Sequence, residues 1–476
     1  MNIDFQPAYP EIFLLSAACL VLLVDLFIKQ EQRFITYLLV QLTLLITAYL
    51  VISADLSAGE ITTFNGMYVL DQMAVILKVS ILLVTAGVFL YSRPYLQDRG
   101  LYKGEYYLLG LFATLGMLIM VSANTLLLIY LGLELLSLSM YAMVAFRRNN
   151  AKTSEAAIKY FILGAIASGM LLYGMSLLYG LSGSLELSKI LEYSNEQGSG
   201  NIAFLLGVAF LVVGVGFKLS AAPFHMWAPD VYEGAPTSVV LFLGTAPKIA
   251  AFAMIIRLLV DGLSGVQTDW QEMLSLLAAL SIAIGNVIAI AQTNIKRMLA
   301  YSTISHMGFL LMGVLAGTTG GYSAAMFYAI TYAIISMGGF AILIALSRKN
   351  FEAENLEDLK GLNDRSPWYA FLMMLLLFSM AGMPPTVGFY AKLMVLEAVI
   401  DVNILWLAIF AVVFSVIGAF YYLRVVKLMY FDKPKDNNAI NLPLDFRFLL
   451  SVNGLGVLAL GLFPGALMAV CVAAFV

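Results

Sequence analysis

Residues 202–223 read IAFLLGVAFLVVGVGFKLSAAP, a run whose single charge is Lys218 and whose last residue is a proline. Up to the proline it is long enough for an α-helix, rising about 1.5 Å per residue, to cross a hydrocarbon core of about 30 Å. Pro223 has no N–H to donate, so the carbonyl of Leu219, one residue on from the lysine, loses its helical partner. Lipid cannot satisfy that carbonyl, which requires this depth to be packed in protein or wetted.

Similar runs fill the chain, near 12–28, 34–53, 71–91, 106–122, 125–146, 157–181, 202–222, 237–261, 271–292, 296–316, 321–347, 367–400, 403–426 and 446–472. The expected fold class is therefore an all-α integral membrane protein of about fourteen transmembrane helices. A β-barrel would show short alternating segments instead. Composition agrees, since 62% of 476 residues are hydrophobic and 12% charged, with a mean hydropathy of +0.92. No soluble globular domain has that balance. A net charge of −3 and the lack of any dense basic cluster exclude nucleic acid as a partner and leave the lipid bilayer as the first one. Cys19 and Cys471 lie far apart in apolar spans and read as small hydrophobes, with neither disulfide nor metal spacing. The first span follows Asp4 and Glu11, with no basic segment and no small-residue cleavage site, and reads as a retained helix.

Loop charges orient the bundle. Cations crowd the loops after spans 1, 3, 5, 9, 11 and 13, among them Arg33, Arg99, Arg147, Lys296, Arg348 and Lys427, whereas the opposite loops are acidic apart from Lys189. The positive-inside rule makes the basic loops cytoplasmic and puts both termini on the outer side. Span 7 is interrupted at Pro223 and the long span 12 at Pro384 and Pro385. Broken helices at matching positions point to a repeat, and five helices per unit reverse its orientation. The expected organisation is helices 1–3 over residues 1–104, a first repeat of helices 4–8 over 105–262, an inverted second repeat of helices 9–13 over 263–430, and helix 14 over 431–476.

Lys78, Lys159, Lys218, Lys248, Arg257 and Lys392 fall within or beside apolar spans, with Glu134 the deepest acid. A charge at a helix centre costs about 2.5–3.5 kcal/mol on insertion scales, so each needs a partner, a water cavity or a function. Lys248 stands out, because it lies about 16 Å into span 8, close to the midplane, with no end to snorkel toward. Lys392 follows Pro385 by two turns and mirrors Lys218 across the proposed repeat. Glu134 shares a helical face with Tyr130, Ser137 and Tyr141. Lys159 has Glu155 one turn earlier and reads equally well as a local ion pair. Arg257 reads as a snorkelling cation near a span end, and Lys78 admits either reading. His225, just past the first break, and His306, one turn after Ser302, are further candidate proton carriers, since imidazole titrates nearest neutral pH. Span 11 adds Tyr328, Thr331, Tyr332 and Ser336 at helical spacing. In general a desolvated ammonium holds its proton less tightly than one in water, and a nearby carboxylate restores the hold. A row of lysines joined by hydroxyls and water could pass protons without any redox group or metal.

Four strings now carry a resemblance: GEYYLL at 104–109, NTLLLIYLGLELLSLSMYAMVAF at 124–146, FKLSAAPFHMWAPDVYEGAPT at 217–237 and NIKRMLAYSTISHMG at 294–308. The chain resembles the antiporter-like proton-pumping subunits of respiratory NADH:quinone oxidoreductase and their relatives in Mrp-type cation/proton antiporters. That resemblance implies a proton relay of Glu134 paired with Lys218, Lys248 at the centre and Lys392 at the end, with Lys159, His225 and His306 beside it. It implies that NADH oxidation and quinone reduction elsewhere in a complex drive proton export through this subunit, which binds no cofactor. The sequence agrees, having no GxGxxG after a strand and no cysteine cluster. The implied partners are the other antiporter-like and small membrane subunits, and the implied location is a bacterial inner membrane. Within the family the middle subunit has glutamate where this chain has Lys392, and the longest carries a lateral helix that 476 residues cannot hold. Both points favour the remaining member of the set. The alternatives are an Mrp-type cation/proton antiporter subunit and a structural subunit whose charges only hold helices together.

Overall fold

A computed structural model describes residues 4–56, 59–436, 438 and 440–475. Polar residues at the ends of the apolar runs start many of the helices. Asp71, Thr125, Asn150, Asn201, Asn294 and Thr318 each accept a hydrogen bond from a backbone N–H of the first turn, satisfying groups that a helix start leaves without partners.

The first three helices are α1 (Tyr9–Asp25), α2 (Phe34–Ile52) and α3 (Gln72–Asp98), with a hairpin of β1 (Ile61–Thr63) and β2 (Tyr68–Leu70) before α3. Then come α4 (Gly104–Val121), α5 (Leu126–Val144), α6 (Ala151–Ser182), a short α7 (Leu187–Tyr193) and α8 (Ile202–Leu219). Past the first break lies α9 (Trp227–Gly234), followed by α10 (Thr237–Leu243) and α11 (Ala246–Ile255), the last running into a π-helical turn over Ile256–Asp261. The remainder is α12 (Gln267–Ile290), α13 (Ile295–Leu315), α14 (Thr319–Leu346), α15 (Leu362–Arg365), α16 (Pro367–Ala381), α17 (Val387–Asp401), α18 (Leu405–Phe431), α19 (Leu444–Leu462) and α20 (Gly465–Ala473).

Thirteen segments among the described residues are long and apolar enough to span a membrane. The two halves α16 and α17 supply the fourteenth crossing, so the expected all-α, multi-pass class holds. The segments Thr237–Asp261, Ile295–Leu315 and Thr319–Leu346 are almost wholly buried, whereas α6, α18 and α19 turn most of their apolar surface outward. A helix apolar all round belongs in the middle of such a bundle. The outward faces are those that meet lipid or a neighbour.

Two boundaries differ from the sequence reading. The last span divides at Pro464, so helix 14 is α19 followed by the shorter α20. Span 8 contains a third interruption: α10 stops at Leu243, and Thr245 leaves helical geometry at φ −125, ψ −99 before α11 starts. Pro247 sits at the head of α11, where its missing N–H costs nothing. A proline that normally opens a helix gives no sign in the sequence that it also ends the helix before it.

Close helix contacts rest on small residues. A Cβ on Gly116 of α4 would lie 2.6 Å from the Gly132 carbonyl oxygen of α5, and one on Gly132 would lie 2.8 Å from the Gly116 oxygen. The pair α12 and α13 is built alike: a Cβ on Gly285 would lie 2.7 Å from the Ser305 nitrogen, and one on Gly308 2.9 Å from the Ala278 oxygen. A backbone atom cannot rotate away as a flexible side chain can, so added volume must push the helices apart. Gly132→Ala is expected to lower the stability of the detergent-extracted protein by about 1–3 kcal/mol, the usual scale of overpacking. Gly169→Ala, where a Cβ meets nothing within 4 Å, is the control, and thermal unfolding of both variants checks the difference.

Candidate functional site

The break after α8 leaves its last carbonyls without helical donors. Ser220 takes the left-handed conformation at φ 65, and the chain passes through a series of turns, with Pro223 among them, to α9. The Lys248 ammonium, on buried α11, reaches the Lys218 and Leu219 carbonyl oxygens at 3.4 Å each and the Ser220 hydroxyl at 3.1 Å. Lys248 is 1% exposed and makes no ion pair among the described residues. Its charge is held by the negative end of a helix dipole and by the oxygens the proline sets free, and its Nζ lies 5.6 Å from the centre of the Trp227 ring. The Leu219 carbonyl, orphaned in the sequence reading, thus has the midplane lysine as its partner.

The second break repeats the arrangement. α16 ends at Ala381, Gly382 turns left-handed at φ 84, and α17 resumes past Pro385. Half-buried Lys392 reaches back across the break, donating to the Ala381 carbonyl at 3.0 Å and to Ser415 of α18 at 2.8 Å, with Phe309 beneath it at 4.9 Å. A Cβ on Gly382 would fall 2.8 Å from the Lys392 side chain, so glycine serves both the backbone turn and the room the lysine occupies.

Lys218 and Glu134 are brought to one place but not into contact. The Lys218 ammonium donates to Ser137 Oγ at 2.9 Å, while the Glu134 carboxylate accepts a hydrogen bond from the Ser168 hydroxyl of α6. The carboxylate is close enough to act on the ammonium through space. The pairing implied by resemblance is corrected in this respect, because a serine stands at each end of the pair. Ser137 was legible as part of the Glu134 stripe, whereas Ser168 lies on another helix and carries no sequence signal.

Between Lys248 and Lys392 the interior is lined with hydroxyls. His306 of α13 bonds Tyr328 through Nδ1 at 2.7 Å and Tyr422 through Nε2 at 3.2 Å, and Tyr422 meets Ser302 at 2.5 Å. Tyr332 donates to Thr303 at 2.7 Å, and a Cβ on Gly244, at the break before α11, would lie 3.3 Å from the Tyr232 hydroxyl. His225 stands apart from this network, its ring edge-on to Tyr301 at 6.4 Å. Ser415 and Tyr422 were missed in the sequence because their polarity is scattered along an otherwise apolar span.

The other in-span cations have acidic partners. Lys159 lies 2.7 Å from Glu155 and 2.8 Å from Asp230, and Arg297 of α13 holds the other Asp230 oxygen at 2.7 Å. Lys159 therefore belongs to an ionic clasp at the cation-rich end of the bundle. Arg257 does not snorkel: it is 4% exposed, paired with Asp71 at 2.8 Å and Asp261 at 3.0 Å, and it donates to the Val121 carbonyl. Lys78, fully buried, pairs with Glu11 at 2.6 Å and donates to Tyr68, which donates to the same carboxylate at 2.9 Å.

A bundle whose helices break at lysine-occupied carbonyls is an antiporter-like membrane architecture. The family model described as NADH:quinone oxidoreductase/Mrp antiporter matches residues 123–418. A relative from Thioalkalivibrio sulfidiphilus, named NADH-quinone oxidoreductase subunit N, is 61% identical over 99% of this chain and 98% of its own length. A chain of respiratory complex I from Thermus thermophilus with bound aureothin superposes with a TM-score of 0.82 at 31% identity, over 97% of this chain and 98% of that one. A chain of the Mrp complex from Dietzia sp. shares the fold, with a TM-score of 0.86 at 20% identity over 99% and 96%. The chain belongs to the antiporter-like family of NADH:quinone oxidoreductase and Mrp membrane subunits, within the branch whose curated members are named NADH-quinone oxidoreductase subunit N.

Removing one member of a buried pair leaves the other uncompensated, at about 3–5 kcal/mol, whereas replacing both with apolar groups costs far less. Lys78→Met should therefore destabilise the protein on that scale and Lys78→Met with Glu11→Leu should recover most of the loss, as read by thermal unfolding in detergent. Equal loss in single and double variants would contradict a purely structural pair.

Proposed function

We propose that this chain is a proton-translocating membrane subunit of a bacterial NADH:quinone oxidoreductase, acting without a cofactor of its own. Quinone reduction takes place elsewhere in the complex, and other membrane subunits are its partners. Glu134, Lys218, Lys248 and Lys392 carry the proton, His306 joins the last two, and Lys159 and His225 flank the path. The observation that carries this reading is Lys248, an ammonium buried at the bundle centre and held by carbonyl oxygens at 3.4 Å without a carboxylate. A static structural role would be met more cheaply by a neutral donor. Held by dipoles, such a group keeps its proton only as long as nearby charges allow. Lys218 lies within electrostatic range of it, and two ammonium groups that close repel, so charging one favours passing the proton on from the other.

Two further features support the reading. The glycine-packed pairs α4/α5 and α12/α13, and the breaks at Ser220 and Gly382, suit two repeats over 105–262 and 263–430. Half-buried Glu134 sits on a flank of the chain, and a carboxylate there needs a neighbouring subunit to keep lipid away. The loop charges favour both termini on the outer side of the inner membrane. The Mrp-type alternative has the shared fold in its favour, but relatives alike over the full length carry the oxidoreductase subunit name.

Complexes carrying Lys248→Met are expected to assemble and to pump protons about a hundredfold more slowly, the scale of losing a proton-transfer group. Proton uptake by reconstituted vesicles, normalised to assembled complex, measures this. A normal rate would remove Lys248 from the path, and cation-dependent proton flux in vesicles lacking the oxidoreductase would favour the Mrp-type reading.

A further inference from the structure

Glu134 and Lys218 are each held by a serine and not by each other. Glu134 accepts from Ser168 of α6, and Lys218 of α8 donates to Ser137 of α5. Ser137 spends its own hydrogen on the Leu133 carbonyl at 2.6 Å, so its oxygen is committed to accepting from the ammonium. A cavity of about 10 Å3 opens beside Ser168, Ser137 and Lys218, the room of one water molecule. Its polar lining is Ser137, Tyr141, Ser168 and Lys218, and Gly214 contributes no side chain to block it. Glu134 and Ser137 are three residues apart on one face of α5, so a change of Glu134 rotamer would swing the carboxylate from Ser168 toward the ammonium.

We propose that Ser168 is a positioning residue of the relay: its hydroxyl holds the Glu134 carboxylate withdrawn, and release from Ser168 lets the carboxylate close on Lys218 across the cavity. The proposal rests on the relay reading above. In the withdrawn position Lys218 has a neutral hydroxyl as its hydrogen-bond partner and feels the carboxylate only through space, so it gives up its proton more readily than in a direct ion pair. In the closed position the ion pair holds the proton in place. Without the Ser168 hydroxyl the carboxylate stays closed, and the relay stalls in its proton-holding state.

The test uses assembled oxidoreductase carrying Ser168→Ala, Ser168→Thr or Glu134→Gln. A hydrogen bond to a charged group biases two positions by roughly tenfold or more, so Ser168→Ala should slow proton transport about tenfold, while Ser168→Thr, which keeps the hydroxyl, should run near the wild-type rate. Infrared difference spectra supply a second readout. The carboxylate band lost in Glu134→Gln should shift in Ser168→Ala and return in Ser168→Thr. A wild-type rate in Ser168→Ala, or a slowed rate with the band unmoved, overturns the proposal. Should Glu134→Gln itself transport normally, it is the relay reading that fails; should it be impaired while Ser168→Ala is not, only the role of Ser168 falls.

Discussion

A carbonyl that loses its helical donor inside a membrane must find another, and in this protein the donor is a lysine. Pro223 and the turn at Gly382 each leave the last oxygens of a half-helix open. Lys248 takes those of α8 and Lys392 takes that of α16. Break and charge thus solve each other's problem: oxygens that lipid cannot serve hold an ammonium that lipid cannot dissolve. Much of the interior is arranged around these two points. α11 must be buried on all sides to bring Lys248 to the end of α8, and α18 must supply Ser415 at the end of α16.

The in-span cations separate by the company they keep. Lys78, Arg257 and Lys159 have carboxylates within 2.6–3.0 Å and fasten helices to one another. Lys218, Lys248 and Lys392 have hydroxyls and carbonyls instead. A full ion pair fixes a proton, whereas neutral dipoles hold it loosely enough for a nearby charge to decide its fate. That difference in partners is the physical ground for dividing one set of buried charges into fasteners and carriers.

Most of the fold was legible because a membrane allows so few solutions: length, apolarity and flanking charge mark a helix before any contact is known. Pro223, Pro384 and Pro385 marked two breaks for the same reason. The interruption at Thr245 was hidden, since Pro247 looks like an ordinary helix start. Arg257 misled for a related reason: its acids, Asp71 and Asp261, are the end residues of two spans, and one of them is distant in sequence. Among the site residues, depth alone singled out Lys248. Ser168, Ser415 and Tyr422 could not be chosen from sequence, because serine and tyrosine serve as packing residues throughout such helices and only the fold shows which of them face an ammonium.

The proposed proton path runs from Lys248 past Thr303 and Tyr332 to His306 and Lys392, and it is continuous only if water bridges these groups. The most direct measurement of that claim is a density map of the assembled complex fine enough to resolve ordered water. It should show waters bridging the Lys248 ammonium to the Thr303 and Tyr332 hydroxyls, and His306 to Lys392. A dry wall of apolar side chains across either gap, in every state of turnover, would contradict it.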